Sequence, residues 1–103
     1  MKAIINILAL CLVLSLALPA LAQDSTEALY KAKCQACHGP EGKGTPAGIK
    51  MGAKDFHSPE IQKLTEAEMF TAVKNGKGKM TKFDGKLTDD QIKSLIKFVR
   101  SLK

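Results

Sequence analysis

The sequence has 103 residues, no Trp, one Tyr and four Phe, and a formal charge of +6 from 16 Lys and Arg against 10 Asp and Glu. A chain this short holds one domain, and one this poor in aromatic side chains builds a thin core that a disulfide, metal or cofactor is expected to complete. Of its three cysteines, Cys11 falls in an apolar leader, so Cys34 and Cys37 form a single close pair and a disulfide framework is excluded.

The leader comes first in the chain. Lys2 supplies a positive start, residues 3–18 are an apolar run, and Pro19-Ala20-Leu21-Ala22 ends in a small-x-small cleavage pattern. Residues 1–22 are therefore read as a signal peptide and 23–103 as the mature domain, exported to the periplasm with no membrane insertion after cleavage. A transmembrane anchor fits less well, because the run is short and no basic residues follow where a span would stop. A lipoprotein site at Cys11 fits less well still, because the preceding Leu10 is too large. Loss of Lys2 with the leader leaves the mature domain basic.

Three helices follow from local chemistry. The first is expected from Ser25 to His38, with Asp24 as N-cap, Glu27 three residues later and Ala28, Leu29 and Ala32 as its apolar set. Gly39 and Pro40 stop it. Residues 39–59 carry five glycines and three prolines and read as one long irregular loop, which so small a domain tolerates only if it wraps something functional. The second helix opens on the capping box Thr65-Glu66-Ala67-Glu68, with Leu64 stapled onto Met69, and ends at Asn75-Gly76. The third opens on Thr88-Asp89-Asp90-Gln91, with Leu87 stapled onto Ile92. Its Ile92, Leu95, Ile96, Val99 and Leu102 recur at helical spacing opposite Lys93, Lys97 and Arg100. No strand pattern, internal repeat or low-complexity tract is present, so the fold class is all-α.

The chemistry concentrates in Cys34-Gln35-Ala36-Cys37-His38. The two cysteines and the histidine stand at i, i+3 and i+4, on one helix face. Two thiols one turn apart can form thioethers to the vinyl groups on one edge of a haem, and the adjacent imidazole then lies under the iron. A thioredoxin-like thiol pair needs a βαβ context that is absent here. A zinc site lacks its second cysteine pair, with only His57 to spare. For the second axial position four side chains are candidates: Met51, His57, Met69 and Met80. Met69 lies on the apolar face of the second helix and reads as a core residue, while Met51 and His57 lie in the long loop. Met80 follows the polar strap Gly76-Lys77-Gly78-Lys79, where an apolar residue has little local reason to be.

Over nearly the whole mature chain the sequence resembles the class I cytochromes c, especially the short bacterial monohaem forms. The resemblance is carried by Leu29-Tyr30, the haem motif with Gly39, Glu41-Gly42-Lys43-Gly44, Gly76-Lys77-Gly78-Lys79-Met80, and the run from Leu95 to Leu102. It implies a small helical fold wrapped around one covalently attached haem c. It also implies crossed first and last helices with Tyr30 against Phe98, and Met80 as the distal ligand. Two positions depart from the pattern: Thr26 stands where a glycine is frequent at the helix crossing, and Thr81 follows Met80 where proline is frequent.

The expected function is thus a soluble, monomeric electron carrier and not an enzyme. Cys34 and Cys37 anchor the ring, and His38 and Met80 ligate the iron. A haem-based small-ligand sensor or peroxidase-like enzyme, with a labile distal ligand, is the alternative; a thiol oxidoreductase is the more distant one. Lys43, Lys50 and Lys54 follow the haem motif and Lys74, Lys77, Lys79, Lys82 and Lys86 bracket Met80. They are expected to form a basic collar that orients an acidic redox protein partner. No nucleic-acid partner is expected.

Overall fold

The computed structural model describes residues 25–103. The expected signal peptide, residues 1–22, and the expected cap Asp24 lie outside the described residues. In chain order the helices are α1 (residues 25–33), α2 (Gln35–His38), α3 (Pro46–Lys50), α4 (Pro59–Gln62), α5 (Glu66–Asn75) and α6 (Asp89–Ser101). Among the described residues the only β pairing is two isolated bridges, Lys77 with Met80 and Asp84 with Leu87. The all-α class expected from the sequence is the class observed.

Both long helices begin as their local sequences require. Thr65 Oγ1 accepts from the Glu68 amide at 3.1 Å, while the Thr65 amide donates to Glu68 Oε1 at 3.1 Å. Thr88 and Gln91 exchange the equivalent pair at 3.1 and 2.8 Å. Each box satisfies two of the amides that the first turn of a helix leaves without a partner, and α5 and α6 then pack on each other.

The first helix departs from expectation. It breaks at Cys34, whose φ of −120° and ψ of −36° leave the helical range, and resumes as α2. No Gly or Pro stands there, and Cys34 is partly buried against the core cluster. The backbone ladder spans the break, because the Cys34 amide donates to the Tyr30 carbonyl at 2.8 Å and the His38 amide to the Cys34 carbonyl at 3.0 Å.

Residues 39–59 depart as well, since the short helix α3 interrupts the single irregular loop and α4 begins at its last residue. Both follow one rule, a hydroxyl residue at the N-cap with proline at the first helical position: Thr45-Pro46 opens α3 and Ser58-Pro59 opens α4. Thr45 Oγ1 accepts from the Gly48 amide at 3.1 Å and donates to the Ala36 carbonyl at 2.7 Å, which binds the start of α3 to α2. Gly48 then lies so close to α2 that a β-carbon on it would stand 1.9 Å from the Cys37 carbonyl oxygen. Only glycine permits that approach.

The core cluster is Tyr30, Phe83, Leu87, Ile92, Leu95 and Ile96, with the partly buried Leu29, Met69, Phe70, Val73, Phe98, Val99 and Leu102 packed around it. The periodic face read along α6 is the buried one. Tyr30 meets Phe98 with ring centroids 5.1 Å apart and planes tilted by 49°, a geometry worth about 0.5–1.5 kcal/mol beyond the area buried. This contact joins the first and last helices, as the resemblance implied. The strap after α5 folds back on that helix, with the Phe83 and Asp84 amides donating to the Val73 and Lys74 carbonyls at 3.1 and 3.0 Å.

Candidate functional site

The site begins with the helix break. Cys34 and Cys37 flank the start of α2, both are half-buried, and both are free thiols. Burial pushes the Cys34 thiol up to about 11, so it is protonated at neutral pH. A dithiol oxidoreductase needs the opposite, a thiol whose acidity is raised by neighbouring positive charge or a helix N-terminus. The Cys34 thiol lacks that activation.

His38 closes α2. Burial holds its pKa below the usual histidine value, which keeps the imidazole neutral and able to ligate. Its Nδ1 is buried and has no hydrogen-bond partner among protein atoms. A buried ring nitrogen without a partner is costly, and a bond from that nitrogen to a metal would remove the cost. The ring stacks on Phe56, centroids 4.8 Å apart and planes inclined by 29°.

Loop bonds fix this end of α2. The Gly44 amide donates to the His38 carbonyl at 2.8 Å, the Thr45 amide to the Cys37 carbonyl at 2.9 Å, and the Tyr30 hydroxyl to the Gly39 carbonyl at 2.6 Å. Phe56 is held from the same loop: its amide donates to the Gly42 carbonyl at 2.8 Å, and a β-carbon on Gly42, where φ is +77°, would stand 2.3 Å from the Phe56 ring. Phe56 was legible only as an isolated aromatic in a polar stretch, the signal that singled out Met80.

The structure sets Met51 and His57 apart from Met69 and Met80 as candidates for a second ligand. Met51 is 47 % exposed. His57 is exposed and has both ring nitrogens engaged, by Asp55 and by the Leu102 carbonyl. Met69 is partly buried against the core cluster, as its place on α5 required. Met80 is also partly buried against that cluster, although it lies on the strap, where its amide donates to the Lys77 carbonyl at 3.0 Å. The strap thus turns its one methionine inward and leaves Lys77, Lys79, Lys82 and Lys86 exposed. Among the described residues no three His, Cys, Asp or Glu side chains converge as a metal cluster would require.

A protein-only core of six buried side chains among the described residues, two free thiols one turn apart and a half-buried imidazole whose buried Nδ1 has no partner fit a large apolar metal cofactor bonded at α2. Comparisons with known proteins agree. A family profile described as "Cytochrome C oxidase, cbb3-type, subunit III" matches residues 21–99. A cytochrome c6 from Leptolyngbya boryana is 38% identical over 71 residues, 69% of this chain and 81% of the relative. Among solved structures, the c-type cytochrome KustC0563 superposes with a TM-score of 0.70 at 33% identity, covering 75% of this chain and 95% of that one. A tyrosine-to-phenylalanine variant of that protein also gives 0.70, at 31% identity over 76% and 98% of the two chains. The chain belongs to the c-type cytochromes, in their small class I form, and is a haem c electron-transfer protein with its cofactor covalently bound.

Proposed function

We propose that this protein is a soluble carrier of single electrons in which Cys34 and Cys37 form the thioethers, His38 is the proximal ligand and Met80 the distal one. Haem c, when bound, supplies one reversible electron. The protein supplies the rest. The two cysteines fix the ring to α2, the loop through Thr45 and Phe56 holds the His38 imidazole, and the strap presents the Met80 thioether. A soft neutral sulfur favours the ferrous state and raises the potential. With His38 and Met80 both holding the iron, substrate would have no place on it, and the protein would carry electrons without acting as an enzyme. The observation that carries this reading is the buried His38 nitrogen without a partner, one residue after the second thiol.

Residues 1–22 direct export, and the mature domain from residue 23 works in the periplasm as a monomer. No helix among the described residues is long and apolar enough to cross a membrane. The partner is a redox protein with an acidic docking surface, met by the exposed Lys43, Lys50, Lys54, Lys77, Lys79, Lys82 and Lys86. Lys74 leaves the expected collar, because its Nζ donates to Asp89 Oδ1 at 3.1 Å and lies over the Phe70 ring; Lys43 also has an acidic neighbour, Glu41 at 3.1 Å, but its side chain stays exposed.

Attachment is tested on a denaturing gel stained for haem, on which the parent keeps its haem and the Cys34→Ala, Cys37→Ala double variant loses it. Ligation is tested by the near-infrared methionine-to-iron charge-transfer band of the oxidised protein. Met80→Ala abolishes the band and opens the iron to cyanide, whereas Met51→Ala and Met69→Ala keep it. A band that survives Met80→Ala refutes the ligand assignment.

A further inference from the structure

A second cluster of polar groups lies outside the residues assigned above, where the segment before α4 meets the end of α6. Asp55 Oδ1 accepts from the His57 amide at 2.8 Å and is 2.7 Å from His57 Nδ1. On the other side of the ring, His57 Nε2 is 3.1 Å from the Leu102 carbonyl oxygen, 45 residues further along the chain. Both groups facing the ring are acceptors. A neutral imidazole has one N–H and can satisfy only one of them, so both bonds coexist only when both nitrogens carry protons.

From this geometry we propose that His57 is a positioning residue that binds a proton together with the electron: Asp55, His57 and Leu102 form a clasp that closes on the imidazolium and holds Phe56 against His38. Phe56 lies between the two side chains of the clasp in sequence and stacks on the His38 ring. Its carbonyl also accepts from Gln62 Nε2 at 2.8 Å, so the segment is tied on both sides. Leu102 is the C-cap residue of α6, its amide donating to the Val99 carbonyl at 3.2 Å, and the negative end of a helix favours a cation nearby.

The charges acting on the ring are Asp55 from its own turn and Lys43 from the loop after α2, and the residue that follows α6 contributes the Leu102 carbonyl. Asp55 outweighs Lys43, and the ring holds its proton above the ordinary histidine range, chiefly through the bond to Asp55. When that proton leaves, the shorter, charge-assisted bond to Asp55 keeps the remaining N–H, and the bond to Leu102 is released.

The proposal rests on His38 as the iron ligand. A positive charge held beside the residue stacked on that ligand favours Fe(II) over Fe(III), so the clasped form has the higher reduction potential. The coupling is reciprocal: adding an electron from the donor protein raises the His57 affinity for a proton, and near the titration midpoint a fraction of a proton is taken from solvent with each electron. It leaves again when the acceptor takes the electron.

The experiment uses the haem-loaded protein. NMR titration of the His57 ring is expected to give a midpoint above that of a free histidine, and higher in the reduced than in the oxidised state. The reduction potential is expected to fall with rising pH across the same interval. His57→Gln removes that part of the slope while keeping the methionine-to-iron band, and Asp55→Asn moves it to lower pH. Equal His57 midpoints in the two redox states, or a slope in that interval unchanged by His57→Gln, overturn the proposal. An absent band in the parent protein, by contrast, refutes the ligand assignment and not the clasp. The parent titration needs no variant, so the test stands even if His57→Gln folds poorly.

Discussion

Replacing Gly48 by Ala isolates the packing on which the site depends. The added methyl carbon would stand 1.9 Å from the Cys37 carbonyl oxygen and 2.6 and 2.8 Å from its carbonyl carbon and Cα. All three are backbone atoms of α2, so no side chain can rotate away. Ordinary contact begins at 3.4 Å, so α3 must withdraw by about 1.5 Å. That displacement stretches the Thr45 amide bond to Cys37 and the Thr45 hydroxyl bond to Ala36, now 2.9 and 2.7 Å. Overpacking of this kind costs about 1–3 kcal/mol, and two weakened hydrogen bonds add about 1 kcal/mol each. Against this, alanine in a helix gains about 1 kcal/mol over glycine. The loss wins by roughly 2–4 kcal/mol. For a domain of this size that lowers Tm by roughly 10–25 °C. Circular dichroism melting of the haem-loaded protein, followed in the far ultraviolet and in the Soret band, measures it. A variant that melts within 2 or so degrees of the parent, or above it, refutes the close approach of α3 to α2.

Three further outcomes are expected. Tyr30→Phe keeps the ring against Phe98 but leaves the Gly39 carbonyl without the buried 2.6 Å bond from the tyrosine hydroxyl, costing about 1–3 kcal/mol in denaturant unfolding; an unchanged midpoint would show that the bond contributes nothing. The clasp also sets a stability window. His57 is raised from 6.5, so its contribution is complete below that value and lost as pH rises through the folded value. Asp55 is lowered from 3.8, so its contribution is present above that value and lost as pH falls through the folded one. The Tm difference between parent and His57→Gln should therefore be largest between 3.8 and 6.5 and shrink on both sides; a difference that grows above neutral pH contradicts it. Changing Lys77, Lys79 and Lys82 to Glu should slow electron transfer with an acidic redox partner and flatten its dependence on ionic strength, and stopped-flow rates indifferent to salt would leave these lysines with no docking role.

What the sequence determined by itself was whatever depends on bonds spanning a few residues. The boxes at Thr65 and Thr88, the α6 face through Ile92, Leu95 and Ile96, and the one-turn spacing of Cys34, Cys37 and His38 are of this kind, and they carry both the helical class and the cofactor. Helices α3 and α4 were equally local, since Thr45-Pro46 and Ser58-Pro59 are helix openings, but Gly44 and Gly48 masked the first. Tertiary structure alone decided the rest. The break at Cys34 has no breaker residue, and Lys74 is withdrawn from the basic collar by Asp89, 15 residues away. Phe56 reaches His38 only because the loop folds back through Gly42, and His57 meets a carbonyl 45 residues distant. Capping and periodicity are written into neighbouring residues, whereas a ring stacked on a ligand or a proton shared between distant segments exists only after the chain has closed on itself.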